Sequence, residues 1–235
     1  MKTLTRVLLA LYVAYALVMF CVFVYGDFQT PVQSHPGLKL AFMITNLVLC
    51  AYLFGYGFYH RKEWKYEWLF LLLASAFTLA ADVFLLILQR DYLIGVILFL
   101  IAQNLHFLRF VFVEEHERKV CLIALGYRLA LMAVGLLVAL ILQYRDVLSL
   151  VAIVYFACLV CNFVDALSSA IRRRYCSMWV LAIGFLLFIG CDVMVGLNAI
   201  GDLSLRSVVY PYIWLFYTLA QGCIIGSGFL RHEEA

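Results

Sequence analysis

Apolar residues in this chain neither alternate nor confine themselves to one helical stripe; they come in near-continuous runs broken by short polar connections. Eight runs stand out, at roughly 5–25, 38–59, 67–88, 92–113, 119–143, 147–171, 177–200 and 208–229. Each is close to the ~20 residues that carry a helix across a bilayer. Segments of this length and continuity fit helices rather than the short alternating strands of a membrane barrel. The pattern therefore predicts an all-α polytopic bundle of eight transmembrane helices, forming one domain over 1–235. The first run follows Lys2 and Arg6, as a signal peptide would, but its apolar core exceeds the 7–15 residues of such a leader. It is read as a retained helix.

Composition sharpens this. Hydrophobic residues are 67% of the 235 and charged residues 13%, with a mean hydropathy of +1.03, far from the balance of a soluble domain. The net charge of +3 is too small to imply nucleic acid. Placing the N-terminus in the cytoplasm puts Lys2, Arg6, Arg61, Lys62, Lys65, Arg118, Lys119, Arg172, Arg173, Arg174 and Arg231 inside. Only Lys39, Arg90, Arg145 and Arg206 then fall outside. Because basic residues concentrate on the cytoplasmic side, the expected topology is N-in/C-in. The membrane would be the cytoplasmic one in a bacterium, or an endomembrane such as the endoplasmic reticulum in a eukaryote. The longest connection, GDFQTPVQSHPG at 26–37, is expected to be irregular, and the RRR at 172–174 to anchor topology. Seven of the eight cysteines fall within the runs, where free Cys acts as a small apolar residue.

Against this background, ionisable residues inside the runs carry the functional signal, since such groups are costly at membrane depth and mark sites by default. Asp82 in LAADVFLLIL and Asp192 in LFIGCDVMVGL each lie fifteen residues into a run, or roughly 22 Å at 1.5 Å per residue. Other polar groups are expected near that level: Lys39 and Asn46, Ser75 and Thr78, Gln103, Asn104 and His106, and the series Tyr210, Trp214, Tyr217, Gln221. Together they would line a polar cavity with aromatic walls, opening outward near Lys39. A deeper group, Arg109, Arg128, Asn162 and Asp165, is expected to be structural, with Arg128 and Asp165 neutralising one another and Arg109 snorkelling to the interface.

Two carboxyl groups brought together in an apolar medium cannot both ionise, which prepares one as acid and one as base. The same pair also fits an interhelical hydrogen bond. On these residues alone an enzyme and a structural or transport protein stay equally open.

In order and spacing, most of the chain resembles the YhhN-type integral membrane proteins, whose characterised members are lysoplasmalogenases. The resemblance rests on Lys39 in GLKLAFMITN, on FTLAADVFLL around Asp82, on AQNLHFLRFVF, on IGCDVMVGL around Asp192, and on YTLAQGCIIGSG. Ala81 and Cys191 stand where the family often has Gly and Ser, Gln103 where it often has His, and Leu40 where Pro follows the lysine. The resemblance implies hydrolysis of the vinyl-ether bond of lysoplasmenyl-ethanolamine or -choline, giving a fatty aldehyde and the glycerophospho head group. It implies Asp82 as acid and Asp192 as base or stabiliser, in either order, with no metal or other cofactor. Lys39 would meet the phosphate, His106 would assist or hydrogen-bond neutrally, Tyr217 and Gln221 would orient water, and Asn46 and Gln103 would line the site. The partners implied are the lysophospholipid substrate and membrane lipids. The rival reading is a small membrane transporter or a non-catalytic lipid-binding protein. A zinc hydrolase would need several helix-borne ligands, and only His106 among five histidines lies clearly within a run.

Overall fold

A computed structural model describes residues 2–29, 35–60, 65–88, 90–113 and 118–234, and among these the chain is helical almost throughout. The helices are α1 (Lys2–Gln29), α2 (Pro36–His60), α3 (Lys65–Asp82), α4 (Tyr92–Val113), α5 (Arg118–Ile141), α6 (Val147–Arg173), α7 (Cys176–Ile200) and α8 (Leu203–Glu234). A π-helical segment, Val83–Leu88, continues α3. All eight helices are long and apolar enough to cross a membrane. A backbone in hydrocarbon must satisfy its own hydrogen bonds, and these continuous ladders do so.

The expected connection at 26–37 is shorter than its composition indicated. α1 runs on through Gly26 and Asp27 to Gln29, and α2 begins at Pro36, a position where proline's missing N–H costs nothing. Residues 30–34 lie outside the described set. α8 exceeds its expected span at both ends and carries Pro211 inside it; membrane helices tolerate such breaks. Asp146 caps α6 by accepting a hydrogen bond from the Ser149 amide, at 2.8 Å. That bond holds its carboxyl below the ordinary range.

α8 is the most buried helix, and α1 and α5 are the least. α7 and α8 share the largest interface, and α8 also packs against α1; α3 pairs with α4, α4 with α6, and α5 rests on α6. Small residues permit the close α8 contacts. A Cβ built on Gly184 would lie 2.9 Å from Ile224, and one on Gly228 2.7 Å from Leu71, so neither position has room for a side chain unless its neighbour shifts. Glycine at such crossings lets helices approach, because association within lipid depends on packing rather than on expelling water.

Candidate functional site: two carboxyl groups held by tyrosines

Asp82 closes α3 where the hydrogen-bonding pattern changes to π, a feature often found at functional sites. It is 4% exposed. Its Oδ2 accepts a hydrogen bond from the Tyr217 phenol of α8, which also lies 3.5 Å from Met43 Sδ. Asp192 of α7 is partly exposed, and its Oδ2 accepts from the Tyr155 phenol of α6 at 2.6 Å.

A relay of rings joins the two anchors. Tyr155 meets Phe99 at 5.7 Å, Phe99 meets Phe188 at 6.0 Å, and Phe188 meets Tyr217 at 5.7 Å. These edge-on and tilted contacts bring quadrupolar attraction as well as area, and they fix both phenols relative to each other. The site is therefore a carboxyl pair in aromatic walls, each acid oriented through one oxygen.

The other expected site residues divide among three further clusters. Lys39 is fully buried, not at an open mouth: its ammonium bonds both oxygens of Asp27 at 2.9 and 2.8 Å. It also lies 4.4 Å from the Trp214 ring centroid, with Tyr210 and Phe23 further out. Trp214 packs on Tyr217 at 5.2 Å, so the Lys39–Asp27 pair buttresses the Asp82 anchor. Asn46 accepts from Tyr12 at 2.9 Å. Gln221 is buried one turn beyond Tyr217.

Gln103 and His106 take their contacts from α6 and α7. Asn162 donates to the Gln103 side chain at 2.8 Å and to its backbone oxygen at 2.9 Å. Arg128 then bonds Asn162 at 2.7 Å and Asp165 at 3.0 Å, and Tyr127 donates to Asp165. Arg128 and Asp165 thus pair as expected. His106 packs edge-on against Phe185 at 5.2 Å and borders a cavity of about 10 Å³ shared with Arg109, Asn162 and Asp165, room for about one water. Asn104 faces outward, bonded to its own helix at the Leu100 carbonyl.

Arg109 does not snorkel. It is 1% exposed and bonds Glu67 at 3.1 Å and Ser227 at 3.1 Å. Arg231, expected on the cytoplasmic side, also pairs with Glu67, at 3.4 Å, and stacks on Tyr175. Burying these charges is tolerable because each has a partner. Among the described residues, no group of three or more His, Cys, Asp or Glu is arranged to hold a metal.

Fold and site together define a multi-pass helical membrane protein built around a pair of tyrosine-anchored aspartates within its spans. The chain belongs to the YhhN family, whose family model matches residues 34–228 and so covers all four clusters apart from Tyr12, Phe23, Asp27 and Arg231. That family is known to include lysoplasmalogenases. No curated protein and no solved structure gives a significant match.

Proposed function

We propose that the protein is an integral membrane hydrolase that cleaves the vinyl-ether bond of lysoplasmalogens, lysoplasmenyl-ethanolamine or -choline. The observation that carries this reading is the pair of carboxyl groups on α3 and α7, each held through one oxygen by a tyrosine from another helix. Family membership supports the substrate class.

The chemistry suits the arrangement. Protonation of the β-carbon of an enol ether creates an oxocarbenium-like cation; water adds to it, and the resulting hemiacetal collapses to a fatty aldehyde and the glycerol alcohol. Asp82, the more enclosed acid, supplies the proton. Asp192, the more open one, stabilises the cation and takes a proton from the attacking water. Paired carboxyls serve a similar cation in glycosidases, a parallel in chemistry and not in fold. The aromatic walls and surrounding apolar helices suit a single-chain lipid, and Tyr217 and Gln221 are assigned to orient water.

The test is aldehyde release from both lysoplasmenyl head-group classes by purified protein in detergent, with Asp82→Asn and Asp192→Asn as comparisons. Turnover lost in both substitutions, in proteins that melt like the parent, supports the two-carboxyl hydrolase. No turnover by the parent with either substrate rejects it and leaves transport or lipid binding.

A further inference from the structure

A second cavity, of about 310 Å³, opens between α4, α5 and α6. It has no contact with the carboxyl pair and no part in the proposed hydrolysis. Its walls are Phe110 of α4, Val120, Ile123 and Ala124 of α5, and Val164 of α6. The Tyr127–Asp165 hydrogen bond forms a polar floor, and Ser168 and Arg172 close one end. We propose that this groove binds an anionic membrane phospholipid, with one acyl chain along the α5 wall and its phosphate at Arg172.

Four observations carry the assignment. α5 packs on α6, while its interval with α4 is the groove itself. The volume is at the lower end of small-molecule sites, enough for part of one chain, and an unfilled gap among apolar walls forfeits dispersion contacts. Ile123 and Val164 are exposed along it, so a chain enters sideways from the bilayer. Arg172 stands seven residues from Asp165 on α6, roughly 10 Å along the axis, which puts a head group at the helix end and the chain inside.

The charge at that end selects the lipid. Arg173 and Arg174 follow Arg172, and Lys119 precedes Val120 on the facing wall. Lys119 with Arg172, Arg173 and Arg174 makes four basic residues. Clusters of this size next to a membrane helix attract anionic lipid, whereas the three arginines alone fall short of it.

The experiment exposes the full-length protein to equimolar phosphatidylglycerol and phosphatidylcholine, then counts retained lipid by native mass spectrometry. The parent is expected to keep one phosphatidylglycerol in preference to phosphatidylcholine. R172Q/R173Q should lose that preference by about fivefold per arginine. Ile123→Trp, which fills the groove from an exposed position, should retain neither lipid. Melting curves matching the parent show that both variants fold. Equal retention of the two lipids by the parent, an unchanged preference in R172Q/R173Q, or undiminished lipid on Ile123→Trp would each overturn the proposal. Aldehyde release does not enter these readouts, so they stand or fall apart from the hydrolase reading.

Discussion

Removing one phenolic oxygen at a time tests whether the tyrosine anchors act on the reacting carboxyls or merely pack. Tyr217→Phe and Tyr155→Phe keep the ring contacts with Trp214, Phe188 and Phe99 and delete the hydrogen bonds to Asp82 and Asp192, together with the contact of the Tyr217 phenol to Met43. A hydrogen bond to a charged group contributes about 1.5–3 kcal/mol. If that contribution is made where charge develops, kcat/KM falls about 10- to 150-fold, at 1.36 kcal/mol per decade. Folding should change much less, because Phe leaves little cavity and each carboxyl keeps its other surroundings. The two anchors are also joined through Phe99 and Phe188, so the double variant should depart from the product of the single effects. The assay is steady-state aldehyde release alongside thermal melting of each variant. Single variants within twofold of the parent, while Asp82→Asn and Asp192→Asn abolish turnover, would refute the view that the phenols position the acids.

Glu67→Gln leaves Arg109 and Arg231 without their shared carboxylate and should cost about 3–5 kcal/mol, read as a lower midpoint of unfolding in detergent; a triple replacement by Leu, Met and Met should recover most of the loss. Lys39→Met takes the ammonium away from Asp27, whose side chain is fully buried, and should destabilise by a similar amount, with Lys39→Met/Asp27→Asn restoring most of it in the same measurement. The Asp146 cap has a depressed carboxyl value, so its stabilisation is present above the ordinary 3.8 and fades as pH drops below it. Melting of Asp146→Ala should accordingly trail the parent at neutral pH and converge with it in acid.

The eight spans and the two aspartates were readable because burial in lipid forces long apolar runs and makes each interior charge conspicuous. Partners were harder to see. Asp27, Glu67 and Tyr155 were not among the expected site residues, yet their depths point to them. Tyr155 is eight residues from the start of α6, and Asp192 eight from the end of α7. Asp27 lies two residues before the end of α1, and Lys39 three past the start of α2. Glu67, Arg109 and Arg231 fall two, four and three residues from adjoining helix ends. Depth alone did not give Gln103 its partner either; α4 packs on α6 as well as on α3, and Gln103 meets Asn162 there.

The π-helical stretch after Asp82 has a meaning for how this site changes over generations. Each of its turns bonds i to i+5, one residue more than an α turn. Loss of a single codon between 83 and 88 would return the stretch to α geometry and swing everything beyond it by about a third of a revolution. Asp82 and its tyrosine would stay on the near side of that swivel. The far end of α3 is thus a place where insertions and deletions can re-aim the rim of the site without disturbing its acids.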